Sequence, residues 1–271
     1  MEKYLPYIIA LILVIISFIC LLTYETIRIK ITYYNIVNRK VSKQKSCEKG
    51  IKIIFFSDLH IGKCMKKSDL KKIVKILCDL NGDIYIFGGD LFGENTYKYF
   101  SKSDLYECFM PLKNKCMIAV YGNHEYRKEK NINMDVKWKL DFFNSMGCIV
   151  LKNQEYIFHK NGESLTIYGM NDYTYNNCKL PDKKYDLIIC HEGDIIDKLN
   201  NQIMVSGHTH AGQIRLPFIP IYYRPLHGKK YTYGIYKENN NQIIVSSGIG
   251  YGLIKLRLFA PREIVCINYK K

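Results

Sequence analysis

Five short polar clusters, each directly after an apolar run of strand length, constrain the fold of this sequence more than any other feature. The clusters are Asp58-Leu59-His60, Gly88-Gly89-Asp90, Gly122-Asn123-His124-Glu125, His191-Glu192 and Gly207-His208-Thr209-His210. The carboxyl ends of parallel strands meet at one edge of an open α/β sheet, and the loops there build ligand sites. The sequence therefore predicts that the five clusters face one another across a single sheet edge.

The apolar pattern between these clusters predicts an α/β fold. In the first half, strands are expected over residues 51–56, 83–87 and 117–121. They alternate with helices over 68–80, N-capped by Ser68, and over 104–112. Strands dominate the second half, over 163–168, 185–190, 203–205, 231–236 and 242–247. This order favours a largely parallel first sheet with a second, mixed sheet packed on it.

The residue types in the clusters indicate a transition-metal site. Two carboxylates, an amide and several imidazoles form a mixed nitrogen and oxygen donor set suited to Zn, Mn, Fe or Co. Seven donors exceed the four that one zinc ion needs, which favours two ions about 3.5–4 Å apart that share one carboxylate. Two divalent ions outweigh two carboxylates, so the site would attract a phosphate and acidify a bridging water. Each cluster alone is more typical of a turn, and the prediction depends on their joint occurrence.

The amino-terminal segment predicts a membrane anchor over residues 1–24. No Asp, Glu, Lys or Arg occurs from Tyr4 to Tyr24, and a helix of this length rises about 31 Å, close to the thickness of a bilayer core. A buried core helix would be shorter or carry a polar face. A signal peptide would be followed by small residues at a cleavage site, and the sequence here continues with Leu21-Leu22-Thr23-Tyr24-Glu25.

The positive charge of the chain suggests how the anchor is oriented. The 271 residues carry a formal net charge of +15, and residues 25–50 are predicted to form a basic juxtamembrane linker that attracts anionic lipid headgroups. The positive-inside tendency places the catalytic domain of this single-pass protein in the cytoplasm, with an extracytoplasmic domain as the alternative. No nucleic-acid-binding motif accompanies the charge, so no nucleic-acid partner is expected. The ten cysteines contain no Cys-x-x-Cys pair and are interpreted as reduced thiols.

The five motifs together resemble those of the calcineurin-like metallophosphoesterase superfamily, over about residues 51–271. The segment Ser206 to Pro217 (SGHTHAGQIRLP) is similar to the last motif of the membrane-anchored bacterial phosphodiesterase branch. Ala211 and Gly193 depart from that branch at positions that are not ligands. The resemblance implies a four-layer α/β/β/α sandwich of two mixed sheets over 51–271, preceded by one transmembrane helix.

The resemblance also assigns roles to eight residues. It implies that the first metal is held by Asp58, His60 and His210, and the second by Asn123, His191 and His208. Asp90 would bridge the two ions, for which manganese is favoured. His124 would be the catalytic residue that protonates the leaving group, and its position beside a metal ligand agrees with acid chemistry. The alternative is that His124 only orients a ligand.

These features predict a metal-dependent phosphoester hydrolase. The expected reaction is cleavage of a phosphodiester or pyrophosphate by attack of a metal-bridging hydroxide. The expected partners are the lipid bilayer and a phosphorylated small-molecule or lipid-linked substrate, with a lipid or cell-envelope-related compound favoured. Two alternatives are a tethered nucleotide or cyclic-nucleotide phosphodiesterase and a non-catalytic regulator, although the complete ligand set argues against the regulator.

Five further polar residues lie near the motifs or match none of them. Arg215 is a phosphate contact or a solvated residue, and His227 is a loop residue at the rim of the site. Glu125 and Asp172 could support the ligands from behind, and His159 is interpreted as a strand-edge residue.

Overall fold

Two mixed β-sheets pack face to face in the computed structural model, with helices on their outer sides. The structure describes residues 2–45, 50–127, 136–175, 178–221, 223–252 and 254–271. The strands in these ranges are β1 (Ile29–Val37), β2 (Lys40–Gln44), β3 (Ile51–Phe56), β4 (Ile84–Phe87), β5 (Met117–Ala119), β6 (Ile149–Val150), β7 (Gln154–Lys160), β8 (Glu163–Gly169), β9 (Leu187–Ile189), β10 (Ile203–Ser206), β11 (Gly234–Glu238), β12 (Asn241–Val245) and β13 (Arg262–Lys270). The α-helices are α1 (Leu5–Ile27), α2 (Lys67–Asp79), α3 (Lys102–Phe109), α4 (Asn123–Tyr126) and α5 (Val136–Ser145).

The order of the strands explains how the motif loops meet. The first sheet runs β2-β1-β13-β3-β4-β5-β6, and the second runs β11-β12-β10-β9-β8-β7. Strands β3, β4, β5 and β6 are parallel neighbours, and so are β8, β9, β10 and β12. The α/β class and the two mixed sheets are confirmed.

The alternation of side chains along β3 shows why the sheets pack in layers. Successive residues of a strand point to opposite faces. Ile53 and Phe55 accordingly enter the core between the two sheets, whereas Ile54 and Phe56 pack beneath α2, α3 and α5. A strand buried on both faces reads as a continuous apolar run, which is the pattern of IKIIFF.

The outer face of the second sheet has a thinner cover. A 3₁₀ helix over Gly193–Lys198 supplies Ile195 and Ile196 to a third apolar cluster, where they pack with Ile188 and Met204. The fourth layer of the sandwich is therefore a short helix and loops in the described part of the chain.

Helix α2 begins two residues earlier than the predicted N-cap implies. Its buried stripe is Leu70, Ile73, Val74 and Leu77, as the periodicity indicates. The N-cap is Lys66 and not Ser68, because the Asp69 carboxylate accepts the Lys66 backbone N–H (3.3 Å) and thereby satisfies an N–H at the helix start.

The prediction of a linker over residues 25–50 is corrected by the structure. Residues 29–44 form β1 and β2, and β1 pairs with β13 in parallel over nine residues. Tyr34, Ile36 and Val41 are buried in the core between the sheets, while Lys43 and Lys45 stay exposed. The lysines made the segment look like a linker, although its apolar residues alternate as in a strand. Residues 46–49 of the predicted linker lie outside the described residues.

The apolar helix α1 leaves the sheets but ends against them. Its apolar window has a mean hydropathy of 3.0 and none of it is buried, so α1 is long and apolar enough to span a membrane. Its last turn is different, since Glu25 and Thr26 are buried. Thr26 accepts the backbone N–H of Arg257 through Oγ1 (3.2 Å), and its carbonyl accepts the Tyr251 hydroxyl (2.8 Å). The helix is therefore fixed to the domain at its carboxyl end.

The cysteines of the described residues are all free thiols. Cys47 lies outside the described residues.

Candidate metal centre

The structure brings the eight predicted site residues together where five strands end. Asp58 and His60 follow β3, Asp90 follows β4, and Asn123 and His124 follow β5. From the second sheet, His191 follows β9, and His208 and His210 follow β10. The two sheets thus contribute residues from facing edges, and Asn123 and His124 are the first two residues of the short helix α4.

The donor atoms form two adjacent groups with Asp90 between them. We call Asp58, His60 and His210 the first position, because their donor atoms lie within 4.8 Å of one another. We call Asn123, His191 and His208 the second position. Asp90 shares a similar group with His191 and His208, and its Oδ2 is 3.2 Å from His191 Nε2 and 3.5 Å from His60 Nε2. Asp90 therefore stands where a bridging carboxylate would.

The backbone of the ligand loops is strained. Five of the seven ligand candidates have positive φ angles: Asp58 (55°), His60 (44°), Asp90 (59°), His208 (74°) and His210 (49°). Residues with a Cβ rarely adopt this conformation, and each instance costs on the order of 1–3 kcal/mol. Such strain is typical of functional sites, where the surrounding structure holds side chains in a required direction.

The imidazoles of the second position are oriented by backbone carbonyls. His191 donates from Nδ1 to Gly88 O (2.7 Å), and His208 donates from Nε2 to Leu226 O (2.8 Å). Their other nitrogens, His191 Nε2 and His208 Nδ1, consequently face each other 3.2 Å apart as acceptors. Two lone pairs at this distance repel each other unless a cation lies between them, so the geometry calls for a metal ion or a proton.

The amide of Asn123 gives a second indication of a metal. Its Oδ1 is buried and has no hydrogen-bond partner among the described residues. A buried acceptor without a partner costs about 1–3 kcal/mol, and a bound cation would remove that cost. The donor set therefore fits a divalent ion at the second position.

The first position has a different neighbour, a buried arginine. His210 Nε2 lies 2.9 Å from His60 Nε2, and His210 Nδ1 lies 3.2 Å from the guanidinium of Arg257. Arg257 is fully buried, and burial lowers its pKa only to about 10, so it is charged at neutral pH. Its guanidinium also donates to the backbone carbonyls of Ser247, Gly250, Ala260 and Pro261. No local motif marks Arg257, so its contact with the centre is not predictable from the sequence.

The electrostatics of the protein groups agree with a cation at the second position. Burial disfavours a charged His191, but the carboxylates of Asp90 and Asp58 outweigh it and raise the pKa of His191 well above its ordinary value. Burial and the neighbouring His124 lower the pKa of His60 to about 3, and burial and His191 lower the pKa of His208 to about 3. His60 and His208 are thus neutral near pH 7, and each has a nitrogen lone pair that can bind a metal ion.

Glu125 supports the ligand loops from behind. It is fully buried, and its carboxylate accepts the backbone N–H groups of Gly122, Asp90 and Leu91, each at 2.8 Å. These three contacts join the loop after β4 to the loop after β5. In the sequence, this role is indicated only by the position of Glu125 two residues after the ligand candidate Asn123.

Two glycines allow the loops to approach closely. A Cβ added at Gly122 would collide with Asp90 Oδ1, and a Cβ added at Gly207 would collide with Asp58 Oδ2. Neither carboxylate could keep its position if the neighbouring glycine were replaced by a larger residue.

His124 lies at the front of the centre. Its ring meets the His60 ring edge-on with centroids 4.6 Å apart, and its backbone N–H donates to Asp90 Oδ1 (2.9 Å). The residue is only half-buried, so it is partly accessible from solvent.

The remaining sequence candidates contact other groups. Arg215 donates to Thr232 Oγ1 (3.4 Å) and covers the ring of Tyr233. The ring of His227 packs on Tyr173. Asp172 is buried and accepts the backbone N–H of Tyr175 (2.6 Å), and the exposed His159 lies on the edge strand β7, far from the centre in the sheet order.

Comparison with known proteins agrees with this fold. The family model described as calcineurin-like phosphoesterase matches residues 51–248. The chain is 27% identical to an uncharacterized metallophosphoesterase, YkuE, of Bacillus subtilis, over 82% of this chain and 79% of the relative. It is 24% identical to the phosphodiesterase YaeI of Escherichia coli (87% and 88%). It is 23% identical to a Danio rerio transmembrane protein with a metallophosphoesterase domain (85% and 56%).

The chain belongs to the calcineurin-like phosphoesterase family, because the family model covers most of its length. It is accordingly a metal-dependent phosphoester hydrolase, and members of this family bind two divalent metal ions.

Proposed function

We propose that the chain is a membrane-anchored phosphodiesterase or pyrophosphatase that uses two divalent ions and acts on a lipid-linked or cell-envelope-related substrate. The observation that carries the proposal is the arrangement of six donors around Asp90, with facing imidazole lone pairs and a buried Asn123 oxygen that lacks a partner among the described residues.

The protein residues divide the chemical work between them. Asp58, His60 and His210 would hold one ion, and Asn123, His191 and His208 the other, with Asp90 shared. When bound, the two ions would supply an activated water and offset the negative charge of the phosphoryl group. Manganese is our proposed native metal.

His124 is proposed to protonate the leaving group. It is half-buried and assigned to neither position, although its ring contacts His60 and its donor atom lies within 4.8 Å of those of His60 and Asp90. An imidazole at this place can deliver a proton to the oxygen that leaves phosphorus. The backbone N–H bond to Asp90 fixes the main chain of His124 relative to the bridging carboxylate.

The lipid substrate is proposed because the anchor and the centre are close. The last turn of α1 binds the backbone of Arg257, and the Arg257 guanidinium contacts His210. A helix that enters the bilayer at Ile27 therefore holds the centre near the membrane surface, where lipid-linked phosphates are concentrated.

Hydrolysis of bis-p-nitrophenyl phosphate with added Mn²⁺ tests the enzymatic part of the proposal. We expect the purified full chain to be active and His124→Ala to lose activity by about 10²–10⁴-fold, the usual contribution of a general acid. His159→Ala is the matched control, because that imidazole is exposed and remote, and it should retain activity. Absence of hydrolysis with every metal, together with equal behaviour of the two variants, would refute the proposal.

A substrate screen tests the lipid part. Lipid-linked, nucleotide and wall-polymer phosphates would be compared by kcat/KM under identical conditions. We expect the highest value for a lipid-linked phosphodiester or pyrophosphate. A preference for nucleotides or cyclic nucleotides would instead establish the tethered nucleotide phosphodiesterase.

We also propose that the catalytic domain lies in the cytoplasm, on the basis of the basic residues after α1. Lys184 is exposed and is none of the donors, so Lys184→Cys offers a labelling position. A membrane-impermeant maleimide should leave it unmodified in intact cells and modify it after lysis. Ready labelling in intact cells would place the domain outside.

A further inference from the structure

A strongly apolar loop leaves the metal centre and remains exposed. It follows the last ligand, His210, and covers residues 214–221 and 223–226 of the described chain. Four of its large side chains are more than half exposed: Phe218 (106%), Ile219 (59%), Tyr223 (58%) and Leu226 (57%). An exposed apolar patch of this kind marks an interaction surface, because a soluble surface gains nothing by holding such side chains in water.

A second exposed segment extends the same surface. Ile254 and Phe259 are 52% and 45% exposed. The loop and this segment are joined by hydrogen bonds from Gln213 Nε2 to Ile254 O (3.1 Å) and from the Arg215 N–H to Leu258 O (2.9 Å). We call the exposed side chains of the two segments the apolar rim, which consists of Leu216, Phe218, Ile219, Tyr223, Leu226, Ile254 and Phe259.

The apolar rim adjoins the end of the membrane helix. Arg257 lies between Ile254 and Phe259, and its backbone N–H and C=O both bind the Thr26 hydroxyl, at 3.2 Å each. Thr26 is in the last turn of α1, so the rim begins where the chain would leave the bilayer.

The charge around the rim favours a lipid surface as its occupant. The sequence contains no Asp or Glu between Asp197 and Glu238 or between Glu238 and Glu263. Basic residues are present instead, including Arg215, Arg224 and Lys255. Lys255 pairs with Asp69 of α2 (3.4 Å), so the two rim segments themselves contribute only apolar, neutral and basic side chains. Apolar side chains next to basic ones are typical of surfaces that enter the headgroup region of anionic membranes.

We propose that the apolar rim is embedded in the headgroup and upper acyl region of the bilayer that α1 spans. This inference depends on the proposed membrane anchoring and deepens the proposed function, because it determines how the centre meets its substrate. The Leu226 carbonyl accepts the N–H of the ligand candidate His208, so the rim and the second position share one backbone connection. The centre would thus open at the level of lipid phosphates, and a lipid-linked substrate would reach it without leaving the membrane.

Quenching by brominated lipids tests the proposal without using enzyme activity. The single native tryptophan is Trp138, so Phe218→Trp in a Trp138→Phe background places one fluorophore in the rim. The full chain would be reconstituted in vesicles of phosphatidylcholine and phosphatidylglycerol, with or without bromine near the top of the acyl chains. Tyr223→Trp provides a second rim probe if the first variant folds poorly. Ile157→Trp is the matched control, since Ile157 is 43% exposed on β7, at the far edge of the second sheet.

We expect bromine to remove about half or more of the emission from positions 218 and 223 and little from position 157. Equal quenching at rim and control positions would overturn the proposal. Rim emission that is blue-shifted but insensitive to bromine would also overturn it, because a protein partner or a second copy would then cover the rim.

A kinetic experiment separates this inference from the proposed function. The double variant Phe218→Asp and Ile219→Asp should hydrolyse soluble bis-p-nitrophenyl phosphate at the wild-type rate, since neither side chain is in the centre. Its hydrolysis of a vesicle-borne phosphodiester should fall by about tenfold. If the double variant matches the wild type on both substrates, the proposal that the rim is embedded in the bilayer is wrong and the proposed function stands. If the wild-type protein hydrolyses neither substrate, the proposed function is wrong.

Discussion

The two metal positions are built from similar side chains but have opposite surroundings. At the second position, both imidazoles donate to backbone carbonyls, from His191 to Gly88 and from His208 to Leu226. At the first position, the outer nitrogen of His210 faces the charged guanidinium of Arg257. A carbonyl behind a ligand increases its basicity toward a metal, whereas a cation behind it reduces that basicity.

Two positions with similar ligands can therefore differ in their affinity for a metal ion. We expect the second position to bind its ion more tightly than the first, with Asp90 contributing to both. Metal titration of the wild-type protein, followed by isothermal calorimetry, should therefore resolve a tight and a weaker step.

Among the ligand changes, the largest loss of activity is expected from Asp90→Asn, because this change removes the carboxylate that the two positions share. Activity on bis-p-nitrophenyl phosphate should fall by on the order of 10³-fold, more than for any other single ligand change, because several kcal/mol of charge stabilisation are lost at both ions. Metal content should fall below two ions per chain. Asp79→Asn, an exposed carboxylate on α2, is the control. An Asp90→Asn protein that retains two ions would contradict the bridging role.

Glu125→Gln should weaken one position selectively. A glutamine oxygen is a poorer acceptor for the three N–H groups that bind the Glu125 carboxylate. Because these bonds set the loops of Asp90 and Asn123, we expect the second ion to bind about 10–100-fold more weakly, as for other groups behind metal ligands. The first ion should change less. Equal weakening of both calorimetric steps would show that Glu125 holds the whole centre.

Arg257→Gln should reduce the difference between the positions. Removing the charge beside His210 should tighten the first ion by about tenfold, since such charge effects are worth about 1 kcal/mol or more in a buried site. The same change should lower the melting temperature, because four backbone carbonyls lose their donor. A first step that weakens, with an unchanged fold by circular dichroism, would show that Arg257 supports the first ion and does not oppose it.

Acid sensitivity is one respect in which two single histidines, His60 of the first position and His208 of the second, should behave alike. Burial lowers the pKa of each to about 3, whereas the remaining histidines differ, since burial lowers the pKa of His210 and the carboxylates of Asp90 and Asp58 raise that of His191. An unfolded histidine binds a proton near pH 6.5, so the folded state binds fewer protons between about pH 6.5 and 3. Stability from these groups is complete above that window and is lost as the pH falls through it.

The metal-free protein should accordingly lose on the order of 1 kcal/mol of unfolding free energy per pH unit for each of these two histidines. Urea unfolding at several pH values measures the slope. His60→Gln and His208→Gln should each reduce it by a similar amount. A reduction by only one of them would show that these two histidines are not equivalent.

The sequence predicted the parts of this molecule that depend on local patterns. Asp58, Asp90 and His208 each follow an apolar run, and parallel strands bring such ends together whatever the rest of the chain does. The side-chain periodicity of α2 likewise predicted its buried stripe. Local order was sufficient for these features because neighbouring residues determine them.

The features that were missed depend on contacts between distant segments. Strand β1 was hidden by its lysines, and its partner β13 lies more than 200 residues away. Arg257 reaches His210 across 47 positions, and no spacing rule indicates such a contact. Even the N-cap of α2 depended on the Asp69 side chain and not on the residue type at the expected position.

The docking of α1 has a consequence for handling the protein. Thr26 forms both backbone hydrogen bonds of Arg257, and Arg257 contacts His210, so a chain of three residues runs from the hydrophobic helix to a ligand candidate. A water-soluble fragment cut at the start of β1 would discard the first of the three and leave Arg257 without its partner. A fragment intended to report the properties of the intact centre should therefore begin before Glu25 and keep the final turn of the helix.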